Sequence, residues 1–390
     1  STRKLSKEKR INMNILGLQC GYNGGVCVVS NGQIVGQAKT GKNLERGITK
    51  KAIKDALDDA ELRLKDIDLA AVVNWFSDRD SEGVECWDKN EEKFSITKEN
   101  GIEYSMEDFV NFYNNNRMVA QGTYTLNIDN QVVKCMIVDH FFSHCAYAYL
   151  TSPFTDCMTV CIDTHDGFGA NNCIYWIQDE DKAFRTWRRD QTFAALNVYT
   201  GFTDVLGMYP AIENMNALRE LAEQHNDDIL DMSNWTWPQN VQMGNIFHGD
   251  QGTALMVLNG MNNVPEKFGY FPPLSGEGDI DDAWMNKNDT ETHSKRASIA
   301  ANVWSVVNES IRNYIEKTKV LGGNIAIGGK VTMFSDIVAD LQDEKTYFTQ
   351  PHNDDELAAG AALFVSDQLM KTKKGEIITN TKKKVNSKEV

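Results

Sequence analysis

No apolar run in this sequence approaches the roughly 18 residues that a membrane-spanning helix needs. No charged start followed by an apolar core marks a signal peptide either, so membrane insertion is not expected. Closely paired cysteines on loops are lacking. The eight, at 20, 27, 86, 135, 145, 157, 161 and 173, lie mostly inside apolar segments, and only Cys157 and Cys161 are near enough for a metal to be considered. That distribution reads as reduced core thiols of a cytoplasmic protein. Histidine is scarce, seven in 390 residues, so a pair at a functional spacing carries weight. Basic charge is missing from the body. The net charge is −15, yet residues 1–10 carry about +4 and residues 371–390 about +5, leaving about −24 between them. A body so acidic excludes broad non-specific nucleic-acid binding, though not a local basic groove. The two ends read as a flexible leader (1–12) and a solvated lysine-rich tail (371–390).

The remainder has ample material for a core, with 41% hydrophobic and 24% charged residues, and its length predicts two or three structural units. Residues 14–20, 26–30 and 33–39 are short β-rich runs; "GYNGG" (21–25) separates the first two, and Asn31-Gly32 is a two-residue hairpin signal. Apolar Ile48, Ala52, Ile53, Ala56, Leu57, Ala60 and Leu64 recur at helical spacing, and 68–76 is a buried strand candidate. A similar order returns: strand 157–163, a glycine-bearing turn, strands 172–178 and 183–189, helices over 192–206 and 213–225, a long helix over 295–317, strand 324–329, then helix 333–342, strand 345–350 and helix 354–370. Three strands with glycine turns followed by alternating helices and strands, written twice, is the plan of the actin-like ATPase fold, an α/β architecture of two βββαβα halves around a nucleotide cleft. The expected halves are 13–155, with an excursion or lid at 77–118, and 156–370, with an insertion at 233–290.

The sharpest local feature is "VDHFFSHCAYAYLTSPF" (138–154), in which His140 and His144 are four apart and project from one helix face, close enough to share an ion. Two ordinary helix histidines would show the same spacing. Asp163 ends the strand that follows, where α/β sheets present ligand-binding groups. After it, "THDGFGA" carries Asp166, Gly167 and Gly169, which let backbone N–H groups approach an anion, though a plain hairpin reads the same way. "IAIGGK" (325–330) ends a strand with Gly328-Gly329, bare backbone suited to a nucleotide or to a tight turn. "PHNDDELAAGAAL" (351–363) joins an acidic helix start to the small face of Ala358 to Ala362, which permits very close packing.

Taken in order over about 14–370, these segments resemble the O-carbamoyltransferases that tailor antibiotics and nodulation signals, whose N-terminal domain is related to the tRNA threonylcarbamoyl transferase. "DHFFSHCAYAYLTSPF" is similar to the family's Asp-His-His-x-Ser-His-Ala run, "IDTHDGFG" to its Asp-Gly-x-Gly, and "YTGFTDVLG" before Glu213 to its Tyr…Thr…Leu-Gly…Glu segment; "IAIGG" and "DDELAAGAAL" follow in place. The resemblance implies a divalent metal (Fe, Mn or Zn) held by His140, His144, Asp163 and a late aspartate, Asp354 in preference to Asp355. It implies ATP and carbamoyl phosphate as the source of carbamoyl-adenylate, with Gly167, Glu213, Gly328, Gly329 and Lys330 on the nucleotide and His144, Asn23 and Asp163 at the reacting centre. The acceptor would be a hydroxyl on a sugar, an aminocyclitol or a hydroxymethylated pyrimidine, free or in DNA.

Several positions depart from the family pattern. Its early His-Asp is Tyr22-Asn23, and an amide cannot act as general base. Phe141 replaces one histidine of the pair, Glu213-Asn214-Met215 loses a lysine, and Glu356 stands where glycine is usual. The family's Arg-rich adenylate-forming domain is not found in these residues, so either the sequence is a piece of a longer chain, or a separate partner supplies the adenylate, or the reaction dispenses with that step. Two other readings follow: a nucleotide-binding regulatory subunit without catalysis, and an actin-like sugar kinase that needs neither histidine.

Overall fold

The computed structural model describes residues 13–21, 24–39, 48–74, 94–105, 107–108, 111–112, 117–128, 131–163, 172–177, 183–190, 195–196, 199, 216–224, 290–350 and 355–371. Two compact units divide the chain, 1–150 with 352–390 and 151–351.

The first unit is built on a seven-stranded sheet. Its strands are β1 (Asn14–Gln19), β2 (Gly25–Ser30), β3 (Gln33–Lys39), β4 (Leu69–Val73), β5 (Ser95–Lys98), β6 (Tyr124–Ile128) and β7 (Gln131–Val138), in the order β3-β2-β1-β4-β7-β6-β5. β1, β4 and β7 run parallel at the centre, and the flanking strands are antiparallel. The central strands read as continuous apolar runs because both sheet faces are covered; from Ile15 onward β1 is buried throughout, as is all of β4. Asn31 and Gly32 make the hairpin the sequence predicts, both at positive φ (53° and 79°). Three helices belong to this unit: α1 (Lys50–Asp59), α2 (His140–Thr151) and, from the far end of the chain, α6 (Asp355–Lys371). α1 lies on β2 and β3, and α6 crosses β1, β2 and β4.

The second unit carries β8 (Cys157–Ile162), β9 (Asn172–Ile177), β10 (Phe184–Asp190), β11 (Ile325–Gly328) and β12 (Thr346–Phe348), ordered β10-β9-β8-β11-β12. β8, β11 and β12 are parallel, and β9 and β10 fold back antiparallel. Its helices are α3 (Ala217–Ala222), α4 (Thr290–Gly322) and α5 (Ser335–Leu341). Val303, Val307, Ile311 and Ile315 of α4 pack with Val160, Ile325, Ile327 and Phe334 into one apolar core.

Numbered within each unit, the first sheet runs 3-2-1-4-7-6-5 and the second 3-2-1-4-5, so both place two antiparallel strands beside a core of three parallel ones, and the first adds an antiparallel pair at its far side. That duplicated order is the actin-like fold expected from the sequence. Two features differ from expectation. The last helix, grouped by chain order with the second half, packs in the first unit, because its small face fits against Gly17 of β1: a Cβ on Gly17 would overlap the Ala358 carbonyl and come within 3.0 Å of the Ala362 methyl. Part of the 77–118 excursion is sheet, since β5 pairs with β6 at the edge. Among the described residues no helix is long and apolar enough to cross a membrane.

Candidate metal centre

The C-terminal ends of β1, β4 and β7 gather an unusual set of buried polar side chains, Gln19, Asn74 and Asp139, and α2 starts from the last of them. Asp139 caps that helix. Its Oδ1 accepts the Phe142 N–H at 2.8 Å, and its carbonyl accepts both the Ser143 N–H (2.9 Å) and the Ser143 hydroxyl (2.7 Å). The cap fixes where the first turn of α2 begins, and so where its two histidines emerge.

His140 and His144 lie one turn apart with ring centroids 5.1 Å from each other and planes 70° apart. The side chain of His144 is only 7% exposed. Each imidazole meets a partner on its Nδ1 side. The amide nitrogen of Asn74 is 2.8 Å from His140 Nδ1, and Glu356 Oε1 of α6 is 3.2 Å from His144 Nδ1. Asn74 holds its place with φ +55°, a conformation that asparagine tolerates better than most residues. Phe141, between the histidines in sequence, is fully buried beside the His140 ring, so its replacement of a histidine leaves the outer two untouched.

The residues present fit a divalent cation. Two imidazoles share one helix face and each has a polar side chain beside its Nδ1, an arrangement in which Nε2 of each would be the atom to meet an ion. With its amide nitrogen toward the ring, Asn74 can give a hydrogen to Nδ1; turned by half a rotation it presents Oδ1 to an Nδ1–H, the arrangement a ligating His140 would require.

In the second unit Asp163 follows β8 directly and is 2% exposed, and Lys330 Nζ lies 3.8 Å from its Oδ1. Gly329 links β11 to the short helical turn 330–333 at φ +88°, where an added Cβ would fall 2.6 Å from the Ile162 carbonyl oxygen. Glycine is required there by the turn, and the bare backbone it leaves is also what a nucleotide would need. Gly328 ends β11, paired with Cys161.

Of the expected site residues, His140 and His144 come together in one unit, and Asp163, Gly329 and Lys330 in the other. Asn23, Gly167, Glu213 and Asp354 lie outside the described residues; Asp355 begins α6. Three contributors escape the sequence reading. Asp139 had a legible signal, an aspartate just before a helix. Glu356 registers there only as a departure from glycine, and Asn74 gives no signal at all.

Residues 14–234 match the family model described as carbamoyltransferase N-terminus. No curated protein matches the chain. Among solved structures it is similar to the activator of the 2-hydroxyisocaproyl-CoA dehydratase from Clostridium difficile with bound ADPNP (13% identity, 95% of this chain and 100% of that one, TM-score 0.45). It is also similar to component A of the (R)-2-hydroxyglutaryl-CoA dehydratase from Acidaminococcus fermentans (10%, 92% and 100%, TM-score 0.43). A third is a ROK family glucokinase from Streptomyces griseus in complex with glucose and AMPPNP (10%, 90% and 98%, TM-score 0.35).

Proposed function

The chain belongs to the carbamoyltransferase N-terminal family, and from that membership we propose that it transfers a carbamoyl group from carbamoyl-adenylate to an acceptor hydroxyl with a divalent metal bound. The observation that carries this reading is the adjacency of His140 and His144 at the sheet's C-terminal edge, each met on Nδ1 by a fixed polar side chain. His140 and His144 would hold the ion through Nε2, with Asp163 and Asp354 as carboxylate donors; two nitrogens and two oxygens suit Fe(II), Mn(II) or Zn(II). Bound there, the metal would anchor the adenylate phosphate or polarise the carbamoyl oxygen.

The chain's own residues do the rest. Lys330 would supply a cation for phosphate and Gly328 and Gly329 bare backbone for the nucleotide, with Gly167 and Glu213 assigned to nucleotide binding by the family resemblance alone. The acceptor oxygen forms a bond to the carbamoyl carbon as the bond from that carbon to the phosphate oxygen breaks, releasing AMP. Asn23, which stands where the family has an aspartate, cannot take a proton, so the hydroxyl proton goes to the departing phosphate or to water. The acceptor is a sugar, an aminocyclitol or a hydroxymethylated pyrimidine, and the adenylate is made from carbamoyl phosphate and ATP.

Elemental analysis of the purified protein and of His144→Ala tests the metal; equal content in both removes the site. Single-turnover reaction with preformed carbamoyl-adenylate tests the transfer. A carbamoylated hydroxyl is expected. Nucleotide binding without product from any hydroxyl would favour the regulatory-subunit reading, which the amide at Asn23 motivates.

A further inference from the structure

We propose that Glu356 is a positioning residue of the metal site: its carboxylate accepts the Nδ1 proton of His144 and thereby holds the imidazole with Nε2 toward the ion. The inference rests on the metal reading of His140 and His144, and adds to it a residue that the family pattern does not mark.

Glu356 Oε1 lies 3.2 Å from His144 Nδ1, with only 2% and 7% of the two side chains exposed. A carboxylate at that depth is strongly destabilising without a positively polarised neighbour. A histidine whose other nitrogen binds a divalent cation is such a neighbour, because the cation draws electron density from the ring and leaves Nδ1–H a stronger donor. The separation is set by packing. Gly360, one turn beyond Glu356 on α6, sits so tightly under the Ser143 carbonyl that a Cβ there would overlap it, and Phe142 of α2 meets Phe364 of α6 edge to face at 4.7 Å. Both contacts hold α6 against α2 in the turns next to the pair, which keeps the carboxylate near the imidazole. His140 differs, because its Nδ1 faces the uncharged amide of Asn74. The two imidazoles are therefore unlike ligands, and His144, backed by a carboxyl group rather than an amide, is the stronger donor.

A carboxylate that merely packs as a buried ion pair would stabilise the fold without affecting metal affinity. Metal-free full chain is titrated with Zn(II) and with Mn(II) against a chromophoric chelator, for wild type, His144→Ala, Glu356→Gln and Glu356→Asp, with the metal-free melting temperature of each recorded. Glu356→Gln keeps an acceptor oxygen and loses the charge; Glu356→Asp keeps the charge and withdraws it by one methylene. Each is expected to weaken binding by roughly 10–100-fold, out of proportion to any change in melting. His144→Ala is expected to abolish it. If His144→Ala binds as wild type does, the metal reading falls and this inference with it. If His144→Ala loses the metal while the Glu356 variants bind within about twofold of wild type, the inference alone is overturned. Nitrogen–proton correlation spectra of the Zn(II)-loaded wild type decide the question without any variant: a protonated, hydrogen-bonded His144 Nδ1 with Nε2 ligated is expected, and ligation through Nδ1 overturns the proposal.

Discussion

Gly360 of α6 lies directly beneath the carbonyl of Ser143 in α2, with room for a hydrogen and not for a methyl: an added Cβ would overlap the Ser143 oxygen and come within 2.9 Å of its carbon and 3.0 Å of the Tyr147 Cβ. This contact determines how far apart the helix bearing both histidines and the helix bearing Glu356 stand. The small residues on α6 are thus part of the site's geometry, although none of them touches a ligand.

Gly360→Ala is expected to destabilise the first unit by at least the ~1–3 kcal/mol typical of overpacking, and to weaken metal binding as α6 is forced off α2. Gly101→Ala is the control. Gly101, unlike the helical Gly360, has positive φ (79°), but nothing lies within 4 Å of an added Cβ, so the cost is limited to backbone strain of about 1 kcal/mol. Chemical denaturation of the two variants beside wild type measures both. Equal losses would show that the close approach is not what constrains Gly360.

Much of the fold was legible because short-range chemistry dictates it. Asn31-Gly32 marked its hairpin since only such residues accept positive φ in succession, and the apolar runs of β1, β4, β8 and β11 marked strands buried on both faces. β6 was less visible: buried Tyr124, Leu126 and Ile128 alternate with half-buried Thr125 and Asn127, a short period-2 pattern on a strand between β7 and β5 with only one face fully buried. His140 and His144 were legible because their spacing is local. Glu356 and Asn74 were not, because their meaning depends on imidazoles far along the chain and on how α6 and β4 dock beside α2. Sequence displays an imidazole pair on one helix; it does not display what stands behind the pair.

Asp139 provides a second test of that geometry. Asp139→Ala removes the acceptor for the Phe142 N–H and is expected to cost about 1–2 kcal/mol, the upper part of the range for lost helix caps, and to loosen the first turn that carries His140. Asp139→Asn retains a capping oxygen and should lose clearly less. Urea unfolding of both variants, with metal affinity alongside, gives the comparison; an Asn variant as damaged as the Ala variant would show that the charge, rather than the cap, is what matters.

The described cysteines should be inert in the native protein. All seven described thiols, Cys20, Cys27, Cys135, Cys145, Cys157, Cys161 and Cys173, are buried and none forms a disulfide. Burial pushes the Cys157 thiol up to about 12, and the negative charge of Asp156 adds to the effect; burial alone raises Cys135 further still. Since only the thiolate reacts, alkylation at about pH 8 should leave these residues unmodified and should become complete on denaturation. Peptide mapping by mass spectrometry reads each site. Rapid native modification of Cys157 would contradict its burial in β8.

Lys319, in the last turn of α4, pairs with Asp343 in the turn leading to β12, and this link gives the second unit a defined response to acid. The Lys319 ammonium, by hydrogen bond, and then the Lys345 backbone N–H (2.8 Å) hold the Asp343 carboxyl down at about 2, below its ordinary 3.8. A carboxyl whose value is lowered by folding favours the native state wherever it is ionised. The contribution is therefore complete above about pH 4–5 and disappears as the pH falls through about 2. Asp343 is largely exposed, so solvent and salt screen the pair and its worth at neutral pH is at most about 1 kcal/mol. Lys319→Met should bring the Asp343 carboxyl back toward its ordinary value and move acid unfolding of this unit to higher pH, while lowering stability at pH 7 only slightly. Molar salt should shrink the difference between variant and wild type, since what was removed is a charge pair and not a packing contact. Circular dichroism followed through an acid titration, with and without salt, measures the shift; coincident titrations at low salt would mean that the link between α4 and the β12 turn contributes nothing to stability.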